Sequence, residues 1–487
     1  MTNENNKNIK PVVNGSSAEE LPADAIGRQE YTGKYRYGLR KFEKATTRRK
    51  SRGVKIADTI IGGGFPIAVQ SMTTTDSRDI EATVRQINAL EAEGCEIARV
   101  SVLNMDAAKA LGAIKKRINI PLVADIHFRY KLALEAIRQG VSKVRLNPGN
   151  IGARYKVEEV CQAAKDRFIP IRIGVNSGSL PRDLLERYGH SDPEAFALAA
   201  MRQIEILEDH NFNNIIISVK STNVNTAYYA YKILAEMTEY PFHVGITEAG
   251  VVWAGTIKAA VGIGAILMDG LGDTIRVSLA TDPVEEVKVG KQILKALELK
   301  QEGVDVIACP TCGRCQIDMI PLAEEVARRT AHFKTPIKAA VMGCVVNGPG
   351  EAMAADIGIA GGDGIGILFK HGKIIGEVKE SELADVLIDE IARMTGEPAT
   401  PDSAPIRLTG DTAELIGAPT LGKGAPPLGR GAQPHSKGAP PLAVGSPKEN
   451  RVTKISSGKK RLEGNTSGRG GVLKSEHPDW LPDSAKK

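Results

Sequence analysis

Between Pro66 and about Leu299 the sequence repeats one rhythm, a short β-branched run followed by a stretch with apolar residues at three- and four-residue spacing. The runs are Ile67–Gln70, Ile97–Val102, Leu122–Asp125, Lys143–Leu146, Ile171–Val175, Ile215–Val219, Phe242–Ile246 and Thr274–Ser278. Between them lie amphipathic segments such as Asp79–Glu93, Val157–Arg167, Pro193–Asp209 and Pro283–Leu299. Runs of this length with β-branched enrichment read as strands, and the intervening period reads as helix. Strand and helix alternating eight times over some 235 residues predict a (β/α)8 TIM-type barrel. A doubly wound open sheet would want a Gly-rich nucleotide fingerprint after its first strand, and Val69-Gln70-Ser71-Met72-Thr73 supplies none.

After Gly303 the rhythm changes to strand, Cys-rich turn, helix (Ile317–Arg329), strand (Ile337–Val341) and Gly-rich turn. Short strands at Ile357–Ala360, Gly364–Phe369 and Lys373–Glu377 and a last helix, Ser381–Met394, complete a smaller α+β domain. The division expected is therefore a leader over residues 1–30, a barrel with its approach segment over 31–300, an α+β domain over 301–396 and a tail over 397–487. The approach segment Tyr31–Gly64 is basic and Gly-bearing and suits a hairpin. The tail is rich in Pro, Gly, Ser and Lys and repeats Lys-Gly-Ala-Pro-Pro-Leu at 423 and 437. Such a composition does not bury enough apolar surface to offset ordering, so leader and tail are expected to be disordered.

Net charge decides against a nucleic-acid partner only once it is located. The +6 surplus resides in residues 398–487, with 14 Lys+Arg against 8 Asp+Glu, leaving 50 of each in the rest of the chain. With aromatics at 4%, base-stacking platforms are not expected either. No apolar h-region occurs in the first thirty residues, so a cytoplasmic protein is expected. Val251–Met268 carries Lys258 and three glycines, is short for a span, and reads as a buried helix.

Polar and charged residues gather at the C-terminal ends of the barrel strands, where barrel active sites lie. Arg99, Asp125, His127, Arg145, Asn147, Arg172, Asn176, Ser218, Lys220, Glu248, Arg276 and Ser278 all fall there. Five cations converging on one mouth repel unless an anion sits among them, which points to a small diphosphate. Asp125 with His127, and Glu248, are the candidates there for proton transfer.

Four of the six cysteines, Cys309, Cys312, Cys315 and Cys344, fall within 36 residues. In a reducing compartment such clustering means metal or redox chemistry, whereas Cys95 and Cys161 lie in apolar segments and read as buried thiols. The close Cys-x2-Cys-x2-Cys run has ferredoxin-like spacing, yet four thiolates also suit a structural zinc. The turn Asn347-Gly-Pro-Gly-Glu351 lets backbone pass close to a bulky inorganic group and brings a carboxylate within reach.

These segments resemble those of the 4-hydroxy-3-methylbut-2-en-1-yl diphosphate synthase family of the methylerythritol phosphate route to isoprenoids. The resemblance rests on Ile67-Ala-Val-Gln-Ser-Met72, Val123-Ala-Asp-Ile-His127, Arg145-Leu-Asn-Pro-Gly-Asn-Ile-Gly152, Ile171-Arg-Ile-Gly-Val-Asn176, Gly245-Ile-Thr-Glu-Ala-Gly250 and Ala280-Thr-Asp-Pro-Val-Glu-Glu286. Cys309-Pro-Thr-Cys312 and Gly343-Cys-Val-Val-Asn-Gly-Pro-Gly-Glu351 complete it. It implies a reductase-like C-terminal domain holding a [4Fe-4S] cluster on Cys309, Cys312, Cys344 and Glu351. It further implies substrate contacts at Arg99, His127, Arg145, Arg172, Asn176, Lys220, Arg276, Ser278 and Asn347. Glu248 is the implied acid near the reacting carbon, and Glu351 joins it in catalysis. The implied reaction is reductive opening of 2-C-methyl-D-erythritol 2,4-cyclodiphosphate, with flavodoxin or ferredoxin as donor. The implied assembly is a homodimer in which one subunit's cluster domain closes its partner's barrel. Cys315 departs from the family pattern, so an all-cysteine cluster with Cys315 replacing Glu351 stays open. The competing reading is a zinc-stabilised barrel lyase or aldolase acting on a sugar phosphate.

Overall fold

The structure, a computed structural model, describes residues 47–345 and 348–400, without the side chains of Pro349 and Glu351. The expected leader, the first part of the approach segment, Asn347 and nearly all of the tail lie outside the described residues. The chain begins with a two-strand hairpin, β1 (Val54–Ile56) and β2 (Thr59–Ile61), bearing out the hairpin expected there. Then follow β3 (Ala68–Met72), α1 (Ile80–Ala92), β4 (Ile97–Ser101), α2 (Met105–Lys115), β5 (Leu122–Asp125), α3 (Tyr130–Arg138) and β6 (Lys143–Leu146). A short α4 (Pro148–Ile151) precedes α5 (Arg154–Asp166), β7 (Ile171–Asn176), α6 (Arg182–Tyr188), α7 (Pro193–Glu208), β8 (Ile215–Lys220) and α8 (Val224–Met237). The barrel half ends with β9 (His243–Val244), α9 (Val252–Met268), β10 (Thr274–Ile275) and α10 (Pro283–Ala296).

All eight expected barrel strands form, hydrogen-bonded in the order β8-β7-β6-β5-β4-β3-β10-β9 with parallel ladders. One parallel bridge, Ile217 to Phe242, spans the seam between β8 and β9 and closes the ring. The last two strands are shorter than their β-branched runs, because only two residues of each make ladder pairs before the chain turns toward the mouth. Helix starts follow the capping chemistry that the sequence carries. Asp79, Asn104, Asp192, Asn223 and Asp282 each accept a backbone N–H of the first turn.

Side chains alternate across each strand, so one set meets the helices and the other fills the barrel. At the N-terminal end the interior is apolar. Ala68, Ile97, Val123 and Ile216 pack there against Val54, Ile56 and Ile61 of the hairpin, which plugs the barrel floor. Each buried Val or Ile contributes roughly 1.5–3 kcal/mol. Two residues further along the same inward faces stand Gln70, Arg99, Asp125 and Ser218, so the interior turns polar toward the mouth.

The expectation of a buried helix over Val251–Met268 is corrected. One face of α9 does pack, with Gly255 and Gly262 letting it approach Leu279 and Ile246. Its opposite face is also apolar and lies open, with Trp253 80% and Val261 57% exposed. No described helix is long and apolar enough to cross a membrane.

The second sheet has the order β11-β12-β13-β14-β15 and a core of its own. It comprises β11 (Val304–Ala308), α11 (Met319–Arg329), β12 (Ile337–Met342), α12 (Gly348–Glu351), β13 (Ile357–Ala360), β14 (Ile365–Lys370), β15 (Lys373–Lys379) and α13 (Leu383–Thr395). It joins the barrel at the end away from the mouth. Lys300 pairs with Glu96, just before β4, at 3.1 Å, and Lys295 of α10 pairs with Asp305 of β11 at 3.6 Å. The start of the expected tail is docked on this sheet. The Glu397 carboxylate accepts the N–H groups of Lys334 and Thr335 at 2.8 and 2.7 Å, and His332 bonds the Pro398 carbonyl.

Candidate active site

Strand alternation sets the cation ring. Arg99 on β4, Lys143 and Arg145 on β6, Arg172 on β7, Lys220 on β8 and Arg276 just past β10 all project toward the barrel axis at or below its C-terminal end. Their local carboxylates are Asp125 and Glu286. Asp125 is the hub. It pairs with Arg145 at 3.2 Å, with the His127 Nε2 at 3.4 Å and with Arg99 at 3.9 Å. Burial drives its carboxyl upward, but Arg99, His127 and Arg145 outweigh that and hold it well below the usual carboxylate range. Asp125 is therefore a fixed anion that orients its neighbours, which corrects the expectation that it transfers protons. Glu286, at the start of α10, accepts from Ser71 and from the Leu279 N–H, both at 3.0 Å, and meets Arg276 at 3.3 Å.

Six basic side chains thus face two carboxylates, and burial beside the other cations pushes Lys143 and Lys220 well down. Burial, reinforced by its neighbouring cations, lowers the Arg99 pKa to about 10, and Arg172 is pushed well down for the same reason. Arg172 is 2% exposed, and its Nε and Nη1 atoms find no hydrogen-bond partner. Two glycines make room for the ring. A Cβ at Gly174 would stand 2.8 Å from the Arg145 Nε, and one at Gly245 would stand 2.7 Å from the Lys220 Nζ.

The remaining expected residues take different places. Asn176 ends β7, where its N–H donates to the Ser179 hydroxyl at 3.0 Å, and Ser278 lies half-buried three residues past β10. His127 is half-exposed at the mouth, with its Nδ1 3.3 Å from an Arg145 nitrogen. Glu248 is exposed on the loop after β9 with φ +51°, a left-handed backbone that costs a non-glycine residue on the order of 1 kcal/mol. Lys143, Gln70 and His243 inside the barrel were missed by reading strand ends alone. The signal was present, since each stands two residues before a position at the mouth: Arg145, Met72 and Gly245.

Removing the hub has an expected cost. Asp125→Asn leaves two buried guanidiniums without their counter-charge and should destabilise the fold by about 3–5 kcal/mol in urea unfolding at neutral pH. Because the folded pKa is depressed, the stabilisation is complete above the unfolded value near ~3.9 and fades as pH falls below it. The gap between wild type and variant should therefore hold steady above about pH 5 and shrink progressively from about pH 4 downward. A constant gap would mean that Asp125 acts by shape rather than charge.

In the second sheet the cysteines collect around the ends of two parallel strands. Cys309 follows β11, Cys344 follows β12, and Gly343 lies beside them. The Gly343 N–H donates to the Cys309 Sγ at 3.2 Å. A Cβ at Gly343 would meet the Cys315 Sγ at 2.5 Å and the Cys309 Sγ at 3.7 Å, so only glycine leaves this sulfur-lined space open. The Cys315 thiol also donates to the Ile317 carbonyl at 3.2 Å, while Cys312 is exposed on the turn. Among the described residues no three Cys, His, Asp or Glu side chains are gathered tightly enough to hold a single ion. Soft thiolates with a backbone amide aimed at one sulfur nevertheless form a donor set that fits an iron–sulfur group. Cys95 and Cys161 are buried in the barrel wall as expected, and burial pushes both thiols up to about 11.

Residues 51–291 match the GcpE TIM-barrel domain, and residues 305–393 match the GcpE protein C-terminal domain. A 4-hydroxy-3-methylbut-2-en-1-yl diphosphate synthase (flavodoxin) of Clostridium perfringens is 56% identical over 341 residues, 70% of this chain and 98% of the relative. Its counterpart of Geobacter sulfurreducens is 54% identical over 348 residues, 72% and 99% of the two chains. Among solved structures, a dihydropteroate synthase of Yersinia pestis aligns with TM-score 0.38 and 13% identity over 50% of this chain and 97% of its own, too loose a likeness to bear on function. By domain content and by identity along nearly the whole length of these relatives, the chain belongs to the GcpE family.

Proposed function

We propose that this chain opens 2-C-methyl-D-erythritol 2,4-cyclodiphosphate reductively to (E)-4-hydroxy-3-methylbut-2-en-1-yl diphosphate and water, in isoprenoid biosynthesis. Counted on the neutral acids, the reaction consumes two electrons and two protons and releases the C3 oxygen as water. The observation that carries the reading is the ring of Arg99, Arg145, Arg172, Lys220 and Arg276, short of counter-charge by several units and shaped for a small dianion. His127, Asn176 and Ser278 at the rim add hydrogen bonds to the same ligand. Glu248, held on a strained turn above the mouth, is the acid that delivers a proton to the departing oxygen.

Cys309, Cys312, Cys344 and Glu351 are the proposed ligands of a [4Fe-4S] cluster, and Asn347, outside the described residues, is placed beside it. Such a cluster, when bound, passes electrons singly, here from flavodoxin or ferredoxin. Two features support a homodimer. The Cys-bearing sheet is attached at the barrel end away from its own cation ring, so a second copy is the natural source of the domain that closes the mouth. The open apolar face of α9, with Trp253, Ile257 and Val261, also suits burial against a second copy. The domain limits proposed are those of the sequence, 31–300 and 301–396, the latter extended through the docked Glu397 and Pro398.

The test is anaerobic turnover of the cyclodiphosphate with reduced flavodoxin, with metal and sulfide analysis of the same protein. Formation of the linear diphosphate by protein carrying iron and sulfide is the expected outcome. Stoichiometric zinc without sulfide, together with cleavage of a sugar phosphate, would instead establish the lyase reading.

A further inference from the structure

Beneath the cation ring lies a second polar layer that the proposed substrate contacts do not use. His243, on β9, is wholly buried inside the barrel, and neither ring nitrogen has a hydrogen-bond partner. Lys143, on β6, is wholly buried too, and its ammonium group meets the Gln70 Oε1 at 3.3 Å. The Gln70 Nε2 is itself unpaired. Groups of this kind, nine-tenths or more out of water and unpaired, are expensive to keep and persist where a ligand state repays them.

The charges around this layer all point one way. Arg172, Lys220, Lys143 and Arg99 act on the His243 ring, while Arg172 and Arg99 act on Lys143. From β3 comes neutral Gln70, from β8 neutral Ser218 and from β10 neutral Thr274, with Arg276 above. Asp125 is already shared among Arg99, Arg145 and His127, and Glu286 is engaged by Arg276, Ser71 and the Leu279 amide. Burial first, and then the neighbouring guanidiniums, favour the neutral forms of both Lys143 and His243, and Lys220 above them is pushed down in the same way.

We propose that Lys143 and His243 form a floor to the substrate site that takes up a proton from solvent when the diphosphate binds. This inference rests on the proposed substrate. A bound diphosphate places two negative charges at the level of Arg145 and Lys220, two residues or roughly 7 Å along the strands above the floor. In a water-poor interior that field offsets most of the positive potential that acts on the floor. The proton on the floor adds a positive charge that faces the ligand from below, and it tightens the site without a direct contact. Lys143 and His243 are thus positioning residues.

The cyclodiphosphate suits the test because each of its phosphorus atoms carries one strongly acidic proton, already lost near neutral pH, so the ligand itself neither takes up nor releases any. Calorimetric titration of the full-length protein with this compound at pH 7.5, in buffers of different ionisation enthalpy, reads the protons exchanged. About 0.5–1 proton taken up per site is expected, with affinity weakening about three- to tenfold per pH unit as pH rises. Histidine-ring 15N spectra locate that proton when it lies on His243. His243→Asn and Lys143→Met should cut the uptake by half or more, singly or together. If either variant misfolds, the wild-type titration and spectra decide the matter. Binding without proton uptake, or uptake that both variants leave unchanged, which puts the proton on His127 or Lys220, overturns the proposal alone. Failure of the cyclodiphosphate to bind overturns both the proposal and the reaction on which it rests.

Discussion

Arg172→Met should produce a protein that is as stable as wild type or more so and has almost no affinity for the diphosphate. Without ligand, the Arg172 guanidinium is buried, lacks partners at two nitrogens and is repelled by Arg99 and Arg145, so replacing it with an apolar side chain removes an unfavourable charge. With ligand, it becomes one half of a desolvated charge pair. Losing one member of such a pair costs about 2–5 kcal/mol, which is roughly 30- to 5,000-fold in kcat/KM. Thermal unfolding and steady-state kinetics on the same preparation check both signs. A variant that melts lower yet turns over normally would show that Arg172 supports the barrel and not the substrate.

The second large effect concerns the cysteines. Cys344→Ser should lose iron and sulfide and lower turnover by more than about 100-fold, since removal of a mere outer-shell partner already costs 10- to 100-fold. Cys315→Ser should keep the iron and stay within about twofold of wild type, because its thiol has an alternative partner in the Ile317 carbonyl. Glu351→Ala should fold and retain some iron but lose turnover. Iron loss in Cys315→Ser with retention in Glu351→Ala would instead move the fourth ligand to Cys315.

These predictions draw on parts of the molecule that were not equally readable. Strands such as Leu122–Asp125 and Ile215–Lys220 announce themselves because both faces are buried, so most positions are apolar or β-branched. The cap residues were visible too, since an Asp or Asn before a periodic segment acts within one turn. Glu397 was misread for the opposite reason. Its neighbours are tail-like in composition, and only the approach of Lys334 and Thr335, sixty residues away in the chain, gives its carboxylate something to bind.

By itself the sequence determined the β/α alternation, the cysteine spacing and the identity of the charged residues at the strand ends, all of which are local in the chain. The tertiary structure decided which charges lose their water. Lys143 and His243 look like ordinary strand residues until eight strands close into a ring and place them between an apolar plug and five other cations. The apolar stripes of α9 are likewise indistinguishable in sequence, and packing covers one and leaves the other open. Spacing fixes which face a side chain shares, but the free energy of a charge depends on everything within a few ångströms, and that set is assembled only on folding.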